Sequence, residues 1–168
     1  KLHHHQRDEL GGRMSHREEL DFQKDFIGLI KSFGGRADPI ECRKSPGNSD
    51  ILYSLDSSRG LLELKRSVYC KQSNKIRLVH PLKANQRNFL RDHGRAGAGA
   101  GQCLIGVLFS KNDNKRDFAV VWTFQAYLMA EKMSLEQALK YAEWQGDWPP
   151  RGPSSALGLR MLRNVLGG

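Results

Sequence analysis

The chain has 168 residues, 39% of them hydrophobic and 8% aromatic, and carries a formal net charge of +9. That length suits one domain with a real core, and no apolar run is long enough to cross a bilayer as a helix. The positive excess points to a polyanionic partner, because each phosphate contact releases condensed counterions, but it does not specify any chemistry.

Residues 1–13 open with Lys1-Leu2-His3-His4-His5 and reach Met14 through Gly11-Gly12-Arg13. They read as a purification-tag remnant, which places the functional domain at 14–168. Lys1, Arg7 and Arg13 against Asp8 and Glu9 make one net positive charge, so +8 remains without them.

Residues 16–33 follow a helical period. Leu20, Phe22, Phe26, Ile27, Leu29, Ile30 and Phe33 form the apolar stripe, Ser15 is the cap, and Gly34-Gly35 is the stop. Residues 36–49 are polar and rich in turn formers, with a short strand expected at Pro39 to Arg43. Two strand-like runs follow, Asp50 to Leu55 and Leu61 to Arg66, joined by Asp56-Ser57-Ser58-Arg59-Gly60 as a hairpin turn. A basic stretch at 70–80 leads into a helix at about 83–93 that displays Lys83, Gln86, Arg87 and Arg91.

The alternating Ala-Gly segment 96–101 reads as a loop. It follows a helix and precedes a strand, the reverse of the order in which a helix amino terminus receives a phosphate. Strands are expected at Cys103 to Ser110 and Asp117 to Thr123, separated by the polar turn 111–116. Ser134 with Gln137 makes a capping-box pattern for a helix reaching about Trp144, and Trp148-Pro149-Pro150 breaks the chain. A last amphipathic helix at about 155–166 carries Arg160 and Arg163. This order predicts an α/β (α+β) domain: a core over about 15–125 and a helical extension over about 126–168.

Cys42, Cys70 and Cys103 are odd in number and form no CxxC pair, so reduced thiols in an intracellular compartment are expected, with Cys103 in the core. His16, His80 and His93 lack partners at zinc-ligand spacing. No GxSxG elbow supports a serine hydrolase. Trp122, Trp144 and Trp148 are expected to pack in the interior rather than stack on bases.

The chemistry concentrates in Asp50-Ile51-Leu52-Tyr53-Ser54-Leu55 and Leu61-Leu62-Glu63-Leu64-Lys65-Arg66. Strand alternation puts Glu63 and Lys65 on one face and Leu62, Leu64 and Arg66 on the other. Pairing with the Asp50 strand would bring two carboxylates and an ammonium to one end of a sheet. Burying such charges is expensive unless they are paired or bind a metal. Two carboxylates suit magnesium, which takes hard oxygen ligands and keeps several waters. The same spacing also arises on a solvated strand face with a cross-strand ion pair.

Asp50, then Glu63-Leu64-Lys65, resembles the PD-(D/E)XK nuclease superfamily, although Ser49 stands where that motif has proline. The resemblance covers about residues 15–110. It implies a restriction-endonuclease-like αβββαβ core, a central mixed sheet flanked by helices, and magnesium-dependent DNA hydrolysis, with manganese able to substitute.

A narrower resemblance is to Holliday-junction resolvases and related phage nucleases. It rests on Glu63-Leu64-Lys65-Arg66-Ser67 followed by His80-Pro81-Leu82 and Gln86. It implies catalytic roles for Asp50, Glu63, Lys65, Gln86 and a first-helix glutamate, Glu19 ahead of Glu18. The implied metal set is Asp50, Glu63, the Leu64 backbone carbonyl and Glu19. Helix-start acids are also favoured by the helix dipole alone.

Lys71, Lys75, Arg77, Lys83, Arg87 and Arg91 are the expected phosphate contacts. DNA is the expected partner, and a homodimer is expected by the same analogy. The competing readings are a restriction- or repair-type nuclease on the same core, and a non-catalytic nucleic-acid-binding module.

Overall fold

The computed structural model describes residues 5–40, 50–68, 74–95, 102–110, 117–150 and 155–168, with side chains on the first helix described from Glu19 onward. Eleven elements follow one another: α1 (His5–Ser32), β1 (Arg36–Pro39), β2 (Ile51–Leu55), β3 (Ser58–Val68), α2 (Ala84–Arg95), β4 (Gln102–Ser110), β5 (Asp117–Thr123), α3 (Phe124–Ala130), α4 (Leu135–Leu139), β6 (Trp144–Trp148) and α5 (Ser155–Gly167).

The apolar stripe of α1 buries Phe22, Phe26 and Ile30. Leu20, expected in that stripe, is 42% exposed, because it lies off the face that meets the sheet. The helix begins at His5, earlier than the period alone indicated, and continues through Gly11-Gly12. It ends where the glycine pair predicts. Gly34 has φ +87°, its N–H donates to the Lys31 carbonyl, and the Gly35 N–H donates to the Ile30 carbonyl. This is the hydrogen-bond pattern of a left-handed helix stop that only glycine adopts without strain.

The six strands form one sheet in the order β1-β2-β3-β4-β5-β6. Only β3 and β4 pair in parallel; the other neighbours are antiparallel. A parallel pair needs a crossover, and α2 supplies it. The run α1-β1-β2-β3-α2-β4 is therefore an αβββαβ core in a mixed, helix-flanked α/β domain, as expected. The first strand lies at Arg36–Pro39 rather than Pro39 to Arg43; residues 41–49, including Cys42, lie outside the described residues.

Alternation gives the sheet two apolar faces. On one, Ile51, Tyr53, Leu62, Leu64, Leu104 and Val121 pack with α1 and α5. Trp148 completes this layer, stacking on Phe26 at 4.7 Å and meeting Phe22 edge-on at 5.0 Å. On the other, Leu61, Ile105, Val107, Phe109, Val120 and Trp122 pack with Leu82, Leu90, Tyr127 and Ala138 from α2, α3, α4 and the loops beside them. All three tryptophans are buried, as expected, and Cys103 sits in the second layer.

The segment 126–168 departs from the helical extension predicted for it. The Ser134–Gln137 capping box forms, but α4 stops at Leu139 and the chain returns as a sixth strand. Trp144-Gln145-Gly146-Asp147-Trp148 alternates large apolar with small or polar residues, a period of two, and both tryptophans are buried. At Gly146 a Cβ would come within 2.7 Å of the Trp144 ring, so the strand depends on glycine there. Among the described residues, no helix is long and apolar enough to cross a membrane.

Candidate active site

Ordinary ladder geometry assembles the site. Ile51 faces Leu62 across the β2–β3 pair, and the same register continued one step sets Asp50 opposite Glu63. The Leu64 N–H donates to Asp50 Oδ2 at 2.7 Å, fixing the carboxylate at the mouth of β3. Gln23, one turn after Glu19 on α1, donates from Nε2 to the Asp50 carbonyl at 2.9 Å. The Ile40 N–H donates to that same carbonyl at 3.0 Å. Asp50 is thus held from three directions, by α1, by Ile40 just past β1, and by β3.

Glu63 and Lys65 share a face, as alternation requires, and they are not solvated. Glu63 is 0% exposed and Lys65 7%, which excludes an open charged strand. Lys65 Nζ lies 2.8 Å from Glu63 Oε1. Gln86 Nε2, on the first turn of α2, donates to that same oxygen at 2.6 Å. The Gln86 amide is itself oriented, because the Lys83 N–H donates to its Oε1 at 3.0 Å. Glu63 Oε2 is buried and has no hydrogen-bond partner among the described residues.

Electrostatics follow from this crowding. Burial pushes the Glu63 carboxyl up to about 7, and the negative charges of Asp50 and Glu19 add to that rise while Lys65 opposes it. Asp50 is also raised by burial, against the Leu64 hydrogen bond and the Lys65 charge. Burial lowers the Lys65 ammonium pKa, but the charge and hydrogen bond of Glu63, with Asp50 and Glu19 behind it, raise it above its ordinary value overall. Lys65 therefore stays charged. Three acids share one ammonium, and a buried carboxylate oxygen has no donor among the described residues, so the group is short of positive charge.

A hard divalent cation fits that deficit. Among the described residues no three acidic, histidine or cysteine side chains gather closely enough to form a cage. The donor set is the two-carboxylate kind that magnesium uses while keeping several waters. Glu19 acts on Glu63 and Lys65 through its charge, and the Glu18 side chain lies outside the described residues. The Leu64 peptide lies beside the acids through its N–H.

The expected phosphate contacts divide into groups. Lys75, Arg77 and Lys83 are exposed on the connection between β3 and α2. That connection is pinned beside β3 by Val79 N–H to the Arg66 carbonyl at 2.8 Å and by Ser67 Oγ–H to the Arg77 carbonyl at 2.6 Å. Lys71 lies outside the described residues. Arg91 is half-buried and donates to Asn88 Oδ1 at 3.2 Å.

Arg87 is already engaged. Its guanidinium donates to both Glu131 oxygens at 3.0 and 2.8 Å and to the Leu82 carbonyl at 3.2 Å, tying α2 to the end of α3 beside Gln86. Sequence reasoning missed Gln23 and Glu131. The first stands four residues after Glu19 on the same helix face, a spacing that signals it. The second is a contact 44 residues away in the chain, with no local mark.

No family model matches the chain, and no curated protein matches it. Among solved structures it is similar to Hjc, a Holliday junction resolvase from the archaeal hyperthermophile Archaeoglobus fulgidus. The two share 15% sequence identity and a TM-score of 0.45, over 64% of this chain and 78% of that one.

Proposed function

We propose that this protein is a magnesium-dependent endodeoxyribonuclease that hydrolyses phosphodiester bonds in DNA, with branched DNA as its preferred substrate. The observation that carries the reading is half-buried Asp50 beside buried Glu63 and Lys65, with Glu63 Oε2 lacking a hydrogen-bond partner among the described residues. Asp50 and Glu63 would hold the cation, with the Leu64 carbonyl and Glu19 completing the protein's share of the set. When bound, magnesium, or manganese in its place, polarises the phosphoryl oxygen and lowers the pKa of an attacking water.

The chain's own residues do the rest. Lys65, kept charged in a buried setting, orients the water and opposes charge building on the phosphate. Gln86 holds Glu63 in one rotamer, and its amide is in turn fixed by the Lys83 N–H. The Leu64 N–H and Gln23 keep Asp50 from turning away. Lys75, Arg77 and Lys83 bring the polyanion to the site. The Glu63-Leu64-Lys65, Pro81-Leu82 and Gln86 series favours the junction-cutting branch over a duplex-cutting one.

The test is cleavage of a four-way junction and of a plasmid with magnesium and with EDTA. Magnesium-dependent cutting, faster on the junction, is expected. Asp50→Asn and Glu63→Gln should each lose on the order of 10³-fold or more in rate while still binding DNA. Cutting that survives in either variant overturns the assignment, and equal rates on both substrates overturn the preference.

A further inference from the structure

Among the described residues, the face of the sheet that carries Glu63 and Lys65 is covered only in part. Helices α2, α3 and α4 lie over β3, β4 and β5, and the apolar layer beneath them takes no residue from β1 or β2. Over those two strands the same face is open among the described residues: Leu52 is 49% exposed, and Arg36 and Asp38 are exposed as well.

The register orders what lies there. One row runs Arg36, Ser54, Arg59 across three strands, and the next runs Asp38, Leu52, Leu61. The row after that carries Asp50 and Glu63. Ala37, Ile51, Tyr53 and Leu62 are buried on the opposite face, so alternation sets Arg36, Asp38, Leu52, Ser54 and Arg59 on the side of the catalytic acids. These five, with Tyr53 of the strand between them, line a hollow of about 350 Å³.

Arg36 and Arg59 therefore stand on either side of a hydroxyl, four residues along β2 from Asp50. At about 3.3 Å per residue that is about 13 Å, a span of a few nucleotides. Asp38 lies 3.6 Å from Arg36 Nε, and both side chains are mostly exposed, so it offsets only part of the paired positive charge. Two guanidinium groups around a hydroxyl suit a phosphate, and exposed Leu52 between them and the acids suits a sugar or base.

We propose that this open half of the sheet face is the track of the substrate strand. Arg36 and Arg59 grip a backbone phosphate about 13 Å from the scissile one, and Leu52 is the floor between. The proposal rests on the nuclease reading for its direction, since the track leads to Asp50 and Glu63, but it is tested through binding.

Affinity for a short DNA duplex is measured in EDTA across a salt series. Arg36→Ala with Arg59→Ala should shallow the slope of log affinity against log salt by about 1 to 2 and weaken binding about tenfold. The double lysine variant should restore the slope, and Asp38→Asn should tighten binding. Lys140→Ala with Arg160→Ala, two exposed cations elsewhere on the molecule, should leave the slope unchanged. With magnesium, the double alanine variant should raise KM more than it lowers kcat.

A wild-type slope in the Arg36/Arg59 variant, an equal loss in the Lys140/Arg160 variant, or no DNA binding by the wild type overturns the track. Wild type that binds with the expected slopes but cuts nothing under magnesium or manganese ends the nuclease reading and leaves the track standing.

Discussion

Replacing Glu63 by glutamine should stabilise the metal-free protein at alkaline pH while removing its activity. Burial and the neighbouring acids lift the Glu63 carboxyl from 4.5 to about 7 in the folded chain. Between those values the native state holds a proton that the unfolded state has released, so stability falls as pH rises through that window and stays low above it. At about 1.4 kcal/mol per pH unit, the loss approaches about 3 kcal/mol by pH 8. Glutamine cannot ionise and keeps an oxygen for Lys65 and Gln86. Its new amide N–H, buried where Glu63 Oε2 had no partner among the described residues, costs back about 1 kcal/mol.

A net gain of about 2 kcal/mol corresponds to roughly 4–8 °C in Tm for a chain of this size. Thermal unfolding followed by circular dichroism in EDTA, at pH 5 and pH 8, measures it. The variant should melt higher at pH 8 and near or below wild type at pH 5. Millimolar magnesium should raise the wild-type Tm at pH 8 and leave the variant unmoved. A variant that melts below wild type at pH 8 in EDTA would refute the reasoning. It would mean that Lys65 and Gln86 already neutralise the acid, and that the site has no unmet demand for a cation.

Gln86→Ala frees a buried carboxylate from one of its two donors and should slow cleavage about 10- to 100-fold, with circular dichroism unchanged; an unaltered rate would make the contact incidental. Arg87→Ala and Glu131→Ala, combined in a double-mutant cycle, should give a coupling of about 1–2 kcal/mol in urea unfolding, and additive losses would show the pair to be screened. Gly106→Ala would set a Cβ 2.7 Å from Leu64 Cδ2 inside the core, and should cost about 1–3 kcal/mol in chemical denaturation; a variant as stable as wild type would show that the Leu64 side chain can move aside.

Much of this architecture is written in short-range pattern. The period-two run through Leu61 to Arg66 places Glu63 and Lys65 together, and Gly34-Gly35 marks the helix end to within a residue or two. The β4–β5 pair and α2 likewise follow from local alternation and from the turn residues between elements. What escaped is long-range or ambiguous in period.

Trp144 to Trp148 lies close after a genuine capping box and inside the expected helical extension, so its alternation passes without notice, and only the aromatic layer beneath it decides for a strand. Phe124 to Ala130 escaped as well, because its helix continues from β5 at Thr123 without a break in apolar character. The brace from Gln23 to Asp50 spans 27 residues and the Arg87–Glu131 clamp 44. The Glu19–Gln23 spacing sets Gln23 on the right face of its helix, but nothing near Arg87 or Glu131 announces the other.

The sixth strand has a practical consequence for anyone dividing the chain. Trp148 roofs Phe22 and Phe26, while Arg163 meets Asp56 at 3.0 Å and Ser58 Oγ–H donates to the Gly167 carbonyl, pulling α5 onto the β2–β3 turn. A fragment cut after β5 would keep every acid of the site yet strip the roof from its rear wall, leaving a sticky aromatic surface and a bare strand edge to find one another in solution. The residues after Thr123 are the keystone of the arch that the acid-bearing strands lean on.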